Sequence, residues 1–307
     1  MKPFLLKFVL FSILISTIAT GLILISDFAV KQRKGHILRT GNEISIVFAG
    51  DSHVECSVND KLIENSINIA ESGEAYLYSY AKIKALLDNN KAINKIFLGF
   101  SFGDLAKEKE DSWLFGDISV IEKIKYYNYL LSYDDKSLII KHNPVSYLKG
   151  LMKSVLNNLM TLMKSYSKGD SDKGLVNFGG YRYLVRDKLF QDIGQHSFAD
   201  QPFEKSVIQE EYLFKISDLC RRRSVRLVLL NTPKYELYNK NVDQKIINHW
   251  YSVRNSLPDD SLLDLSYLSL PDSCYGDLTH LNYRGAKIFS EYLNEKLNTK
   301  MQYQEVD

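Results

Sequence analysis

The stretch from Ile44 to Cys56, ISIVFAGDSHVEC, constrains the fold more than any other part of this chain. Its first six residues are mostly apolar and β-prone, and they run directly into Gly50-Asp51-Ser52. An apolar run that ends at a glycine is typical of a buried strand. Open α/β sheets bind their ligands outside the carboxyl ends of the strands. We therefore expect Ser52 to stand at the ligand-binding edge of a parallel sheet.

Four further apolar runs predict the rest of that sheet. They cover residues 66–70, 95–101, 225–230 and 261–265. Segments with helical periodicity lie between and after them, at residues 75–87, 204–223, 241–255 and 283–297. Strands that alternate with helices favour a parallel sheet with right-handed crossovers. The predicted fold is therefore α/β, with a five-stranded parallel sheet in one domain over residues 43–300 and a polar tail at 301–307.

The regular alternation stops after the third strand. Residues 105–203 are rich in Lys, Tyr, Leu and Met, with predicted helices at 118–133 and 144–164. We interpret this block as a helical insertion in the sheet domain. The second helix has one broad apolar face, at residues 145, 148, 151, 152, 155, 159, 160 and 163. We expect ordinary core packing for this face, and a lid, membrane or partner contact is the alternative.

The N-terminus predicts a membrane anchor. Phe8 to Ser26 carries no charge over 19 residues, and about 20 apolar residues are needed to span a bilayer. Ala19-Thr20-Gly21 resembles a signal-peptide cleavage site, but the apolar run continues past it. We therefore expect an uncleaved anchor over a cleaved signal or a buried soluble helix. Residues 27–42 are expected to form a basic, irregular linker, whose cations mildly favour a cytoplasmic body by the positive-inside rule.

The charge balance and the cysteines exclude several classes of protein. Lys and Arg number 39 against 37 Asp and Glu, a net charge of +2, so we expect no nucleic-acid partner. Cys56, Cys220 and Cys274 show neither metal-ligand spacing nor a disulfide framework. The sequence also has no phosphate-cradling glycine loop. We therefore expect no metal and no cofactor.

A second motif lies far down the chain, at Asp277-Leu-Thr-His280-Leu-Asn282. An imidazole can take the proton of a serine hydroxyl, and a third group must hold its ring and tautomer. A turn can bring the carboxylate of Asp277 to the His280 ring, since only three positions separate them. This spacing predicts that Ser52, His280 and Asp277 meet in one acyl-transfer site. The alternative is a plain turn and helix cap with a solvated histidine.

Together the two motifs resemble the SGNH (GDSL-like) hydrolase superfamily, over residues 43–104 and 204–297. Gly50-Asp51-Ser52 matches its first block and Asp277-x-x-His280 its last. The resemblance implies a three-layer, flavodoxin-like fold. It also implies that Ser52 is the nucleophile, His280 the base and Asp277 the orienting carboxylate. The implied oxyanion hole is formed by the backbone at Ser52 and at Gly73, which follows the second strand.

The third block departs from the family pattern. The family usually has Gly-x-Asn-Asp after the third strand, whereas this chain has Gly99-Phe100-Ser101 and no asparagine. We expect Ser101 to donate to the oxyanion instead. Beside the nucleophile, we expect His53 to support the site from behind and Asp51 to organise the turn, because adjacent side chains seldom face each other.

With its anchor, the chain is similar to the membrane-linked SGNH-like proteins of alginate O-acetylation and lipoteichoic acid D-alanylation. This likeness implies an esterase or O-acyltransferase that acts on an acylated cell-envelope glycan. It also implies a single-pass membrane protein whose body lies outside the cytoplasm, beside a membrane-bound O-acyltransferase. One alternative is a scaffold or ligand-binding partner of such an acyltransferase, motivated by the missing asparagine. The other is a cytoplasm-facing lipid or thioester esterase, motivated by the basic residues at 31–39.

Overall fold

The computed structural model describes residues 2–37, 40, 43–168, 179–195, 203–257 and 261–304. They fall into two compact units. A helical unit comprises Met1–Arg39 and Phe115–Gly174, and a sheet unit comprises Thr40–Leu114 and Leu175–Asp307. The insertion predicted at 105–203 is therefore divided between the two units, and the N-terminal helix belongs to the same unit as its central part.

The sheet unit contains one parallel sheet of five strands. The strands are β1 (Ile46–Ala49), β2 (Ser66–Asn68), β3 (Lys95–Gly99), β4 (Arg226–Asn231) and β5 (Ser261–Asp264). Their spatial order is β2-β1-β3-β4-β5, which is the order of flavodoxin-like doubly wound sheets. The five-stranded parallel α/β fold is confirmed, because each predicted strand forms at its expected place.

The helices in chain order are α1 (Lys2–Ile37), α2 (Ser52–Ser57), α3 (Tyr76–Asn89), α4 (Lys107–Lys109), α5 (Asp117–Tyr127), α6 (Tyr133–His142), α7 (Pro144–Lys168), α8 (Leu189–Gln195), α9 (Val207–Arg222), α10 (Glu236–Asn241), α11 (Gln244–Ser256) and α12 (Tyr283–Gln304). Short 3₁₀ turns lie at Asp60–Leu62, Phe102–Leu105 and Asp272–Cys274, and a π turn lies at Glu110–Leu114.

Apolar burial holds the sheet together. The central strands are buried almost throughout, and the rings of Phe48 and Phe97 stack across β1 and β3 with centroids 4.9 Å apart. Phe289 and Leu293 of α12 belong to the same core cluster. Each such side chain stabilises the fold by about 1.5–3 kcal/mol. The core therefore fixes the carboxyl ends of β1 and β3 relative to α12, close to where the second motif lies.

Three predicted boundaries differ from the structure. The prediction of an irregular linker at 27–42 is wrong for its first part, because α1 continues to Ile37. Residues 27–34 contain no glycine or proline that would end a helix. The helix predicted at 118–133 ends at Tyr127, and α6 starts after a capping box between Ser132 and Asp135. At the C-terminus α12 extends to Gln304, into the predicted tail, and residues 305–307 lie outside the described part.

Among the helices that the structure describes, α1 is long and apolar enough to cross a membrane, over Phe4–Val30. Elsewhere in the helical unit, α7 corrects another prediction. Its apolar face is not core: Leu151 and Val155 are half-buried, and the other apolar residues of the face are exposed. Apart from Tyr147, the described side chains that α7 buries are small or polar. The hydrophobic periodicity of α7 therefore predicted the helix but assigned the wrong face to the interior.

Candidate active site

The candidate nucleophile lies at the sharp turn between β1 and α2. Gly50 has a φ of +137°, a conformation that favours glycine. A Cβ on Gly50 would also lie 3.1 Å from the backbone of Gly99, so the two strand ends approach closely. Asp51 then caps α2, with its Oδ1 accepting from the His53 N–H at 3.0 Å. Ser52 is the first residue of α2, at the edge of the sheet where the sequence predicted it.

Ser52, His280 and Asp277 lie in one continuous chain of contacts. Ser52 Oγ is 2.8 Å from His280 Nε2. On the other side of the ring, His280 Nδ1 is 2.9 Å from Asp277 Oδ1 and 3.0 Å from Oδ2. All three distances lie within hydrogen-bond reach. The contacts allow Nδ1 to carry the proton while Nε2 accepts one from the serine hydroxyl.

Asp277 is held as an anion. Burial alone would raise the pKa of its carboxyl, but the hydrogen bonds and charge of His280, the Thr279 N–H and Arg186 outweigh burial and hold that pKa well below its usual range. Asp277 Oδ1 accepts from the backbone N–H groups of Thr279 at 2.9 Å and of His280 at 2.8 Å. Arg186 forms an ion pair with Oδ2. The carboxylate is therefore fixed in place as well as charged.

The segment that carries His280 is anchored at both ends. Asn282 Oδ1 accepts from the N–H of Arg284 at 3.0 Å, which caps the first turn of α12. Gly285 packs against Cys274, because a Cβ at position 285 would lie 2.3 Å from the Cys274 carbonyl oxygen. These contacts join the start of α12 to the turn at Asp272–Cys274, and so fix the two ends of the loop that carries His280.

A second imidazole lies against the first. The rings of His53 and His280 stack with centroids 5.0 Å apart. His53 Nδ1 is 3.3 Å from Asp51 Oδ1 and 3.2 Å from Ser101 Oγ. Burial lowers the pKa of His53, Asp51 opposes this, and the charge of Lys234 adds to the lowering. His53 is therefore a neutral ring near pH 7 that supports His280 from one face.

Behind His53, a buried lysine balances two carboxylates. Lys109 Nζ is 2.6 Å from Asp51 Oδ2 and also forms an ion pair with Asp104. Burial would lower the pKa of Lys109, but the two carboxylates outweigh it and raise that pKa. Burial would likewise raise the pKa of Asp51, but His53 and Lys109 hold it well below its usual range. The three charges stabilise one another inside the protein.

Asp51, His53 and Asp104 could also serve as metal ligands, since one ligand atom from each lies within 4.8 Å of the others. The Lys109 ammonium already pairs with both carboxylates of this group. A bound cation would have to share those oxygens with a buried positive charge. The chain's own lysine therefore supplies the charge that a metal would bring there, and the absence of a metal cofactor stays a prediction.

The residues predicted for the oxyanion hole lie in different positions around Ser52. Gly73 has a φ of +64° and lines the same pocket as Ser52. A Cβ at Gly73 would lie 2.4 Å from the Trp113 ring, so this position requires glycine for both backbone and space. Ser101 is buried, and its hydroxyl contacts His53 rather than Ser52 in the hydrogen bonds described. Its Asp104 capping contact further fixes its backbone.

A pocket of about 620 Å³ opens beside Ser52 and His280. Its walls include Trp113, Arg182, Arg186 and Tyr238. Cys56 also borders it, but burial raises the pKa of that thiol to about 12. The thiol therefore stays protonated near pH 7 and does not compete with Ser52 as a nucleophile. The pocket therefore presents the Ser52 hydroxyl in contact with His280, aromatic surface and two guanidinium groups.

Lys109 and Arg186 had no signal in the sequence. Lys109 lies in Lys107-Glu-Lys-Glu-Asp111, which is typical of a solvated helix, and both of its partners come from other segments. Arg186 lies in the block interpreted as an insertion, although the structure assigns it to the sheet unit. A local pattern cannot reveal either residue, because their partners are distant in sequence.

Comparisons with known proteins give partial matches. A protein-family model matches residues 185–302, less than half of the chain, and no curated protein matches. Nine chains of known structure match. One is a Streptococcus pneumoniae protein provisionally named a platelet activating factor, with 15% identity and a TM-score of 0.39, covering 92% of this chain and 98% of that one. Another is a provisionally named acylhydrolase from Bacteroides fragilis, with 11% identity and a TM-score of 0.40, covering 88% and 95%. At these similarities, any assignment of function rests on the geometry of the site.

Proposed function

We propose that this protein is an SGNH-like, serine-dependent acyl-ester enzyme that works through an acyl-serine intermediate. One observation carries the proposal. Ser52 Oγ lies 2.8 Å from His280 Nε2, while Nδ1 of the same ring lies 2.9 Å from Asp277. A nucleophile, a base and an orienting carboxylate in this order can activate a serine hydroxyl.

The proposed reaction has two halves. As Ser52 Oγ attacks the ester carbonyl, His280 Nε2 takes its proton, and Asp277 stabilises the imidazolium that forms. The tetrahedral intermediate then releases the alcohol, which receives the proton from His280. In the second half, a water molecule or a sugar hydroxyl gives its proton to Nε2 and attacks the acyl-serine. The acyl group leaves on that oxygen, and His280 Nε2 returns the proton to Ser52 Oγ, which restores the serine hydroxyl and the neutral imidazole. Hydrolysis and transfer therefore share every group on the protein.

The developing oxyanion needs hydrogen-bond donors. We assign the backbone N–H groups of Ser52 and Gly73 to this role, with Ser101 as the third candidate donor. One such donor is worth about 3 kcal/mol to the transition state. The Trp113 ring packs against Gly73, and both residues line the pocket beside Ser52. This position supports the assignment of Gly73 to the oxyanion hole.

For the substrate, we propose an O-acylated cell-envelope glycan that meets the enzyme outside the cytoplasm. The apolar α1 supports a membrane location, and the exposed Trp113 ring beside the pocket offers a stacking surface for a sugar. A membrane-bound O-acyltransferase is the proposed neighbour. A periplasmic reporter fused after residue 42 tests the orientation; an inactive reporter would instead support a cytoplasm-facing lipid or thioester esterase.

The direct test is labelling with a fluorophosphonate probe, combined with mass spectrometry of the peptide that contains Ser52 after incubation with an acetyl ester. We expect label and acyl group on Ser52, and neither in Ser52→Ala. Ser72→Ala is the matched control, because Ser72 also borders the pocket and should leave the labelling of Ser52 intact. Equal labelling of the parent and Ser52→Ala would refute the proposal.

A second candidate function is a scaffold or ligand-binding partner of a membrane-bound O-acyltransferase. One observation favours it: the segment after β3 has no asparagine, and the Ser101 hydroxyl contacts His53 instead of the nucleophile. In cells that lack the native gene, full restoration of envelope acylation by Ser52→Ala would support this scaffold role over catalysis.

A further inference from the structure

Helix α7 exposes its large apolar side chains, whereas a helix that packs on a soluble core buries them. Among its described side chains, four buried ones repeat every four residues and are small or polar: Ser146, Gly150, Ser154 and Asn158. Tyr147 is buried beside them, and its hydroxyl donates to Asn128 at 3.0 Å. The exposed positions of α7 carry large apolar side chains: Val145, Leu148, Met152, Leu156, Leu159, Met160 and Met163. We call this second set the outer face of α7. A helix in water is expected to have the opposite arrangement.

The buried side of α7 packs closely. A Cβ on Gly150 would meet Ile124 of α5 at 2.8 Å and the Ile121 carbonyl oxygen at 3.0 Å. The backbones of α5 and α7 therefore approach one another as only glycine permits. Small residues repeated at this spacing, with their helices in close contact, are typical of helix packing inside membranes.

The outer face is large for a surface in water. It recurs every three or four residues from Val145 to Met163, which is about 27 Å along a helix at 1.5 Å per residue. Soluble proteins rarely expose a continuous apolar patch of this extent. Exposed Lys149 and Lys153 lie along one side of it. The long stem of Lys149 can carry its charge to a lipid headgroup region, and Lys153 pairs with Glu122 at 2.9 Å.

Polar contacts join α7 to the apolar segment of α1. Asn158 Nδ2 donates to Asp27 Oδ1 at 3.1 Å, and Asp27 lies inside the Phe4–Val30 segment. Asn128 also donates to Asp27, and Lys136 Nζ is 3.9 Å from it. A carboxylate in an apolar span is costly unless it is paired. Since α7 supplies part of that pairing, this part of α7 lies beside the segment that would be in lipid.

We propose that α7 is a second membrane element, whose outer face contacts phospholipid acyl chains in the same leaflet as the Asp27 end of α1. This proposal rests on α1 being inserted in a bilayer. Three observations favour lipid over a second protein as the partner of the outer face. They are the contact of α7 with α1, the small residues on its buried face and the lysines that flank the outer face.

Site-directed spin labelling of the full chain in phosphatidylethanolamine–phosphatidylglycerol liposomes tests it. The native cysteines are buried, so label is directed to Met152→Cys and Leu156→Cys, which replace residues 65% and 61% exposed. Val207→Cys, at a residue 64% exposed on α9, is the matched control. Leu22→Cys reports on α1. The measurement is the ratio of spin collisions with oxygen, which partitions into lipid, to collisions with a water-soluble nickel complex.

We expect labels at 152 and 156 to show a ratio several-fold above that at 207 and close to that at 22. Ratios at 152 and 156 that match position 207 would overturn the proposal, because the outer face would then be in water. Immobilised labels with few collisions of either kind would also overturn it and indicate a second copy of the chain. A water-like label at 22 would remove the insertion of α1 and the proposal with it.

Discussion

Two imidazole–carboxylate pairs meet in this site, and they differ in what else each pair contacts. The His280 pair ends at Ser52 Oγ, 2.8 Å from Nε2. The His53 pair is backed by the buried Lys109, and its Nδ1 also contacts Ser101. Both pairs join an imidazole to a carboxylate. Under the proposed mechanism, contact with Ser52 is what distinguishes the imidazole that acts as the base.

The largest expected effect separates the two rings. His280→Ala should lower kcat/KM for p-nitrophenyl acetate by about 10³- to 10⁴-fold, since it removes the proposed general base. His53→Ala should cost at most about 10-fold, because it removes only a stacking neighbour of that base. Initial-rate measurements on both purified variants decide. Equal losses would mean that the two pairs are functionally equivalent, which would contradict the distinction drawn between His280 and His53.

The carboxylates should differ in the same way. Asp277→Asn should lower kcat by about 10³-fold, because an amide donor at Nδ1 forces the proton onto Nε2, where it blocks acceptance from Ser52. Asp51→Asn keeps the Ser52–His280 contact and should lower kcat far less. The measurement is kcat for both variants. A larger loss for Asp51→Asn would mean that the His53–Asp51 pair, and not the His280–Asp277 pair, serves the reaction.

Lys109→Met should act on stability rather than on the base directly. It leaves Asp51 and Asp104 facing each other without their shared cation, and breaking a buried ion pair costs about 3 kcal/mol or more. Lys84→Met is the control, since its pair with Asp88 is solvent-exposed and should contribute at most about 1 kcal/mol. Urea unfolding of the full chain in detergent gives both values. Similar small losses would show that the three charges do not depend on one another.

The smallest expected effect is the contribution of His53 to the pH dependence of the free energy of unfolding. The folded pKa of His53 is lowered, so between that pKa and the unfolded value near 6.5 the unfolded chain binds more protons. The free energy of unfolding should therefore fall as pH drops through this window, by at most about 1.4 kcal/mol per pH unit. His53→Gln should flatten this slope. Identical slopes for the parent and His53→Gln would contradict the buried, neutral state of His53.

Sequence reasoning reached the parts of this molecule that local pattern determines. The five strands follow from apolar runs ended by turn residues, and the meeting of Ser52 with His280 follows from two motifs at equivalent sheet edges. The outer face of α7 shows the limit. Periodicity gives a helix two faces but does not say which one is buried, because that depends on what surrounds the folded chain. Lys109 shows another limit, since its structural role depends on the carboxylates of Asp51 and Asp104, which lie outside its own local sequence pattern.

The contact of Asp27 with Asn128 and Asn158 has a practical consequence for anyone who purifies this protein. Trimming the anchor to gain solubility would remove the one acceptor that both amides share. Leaving a buried polar group unpaired costs about 1–3 kcal/mol, and the cut would also uncover the flank of α7 that α1 shields. The Asp27 end of α1 thus contributes polar contacts to the helical unit, and a chain shortened beyond Asp27 would lack them.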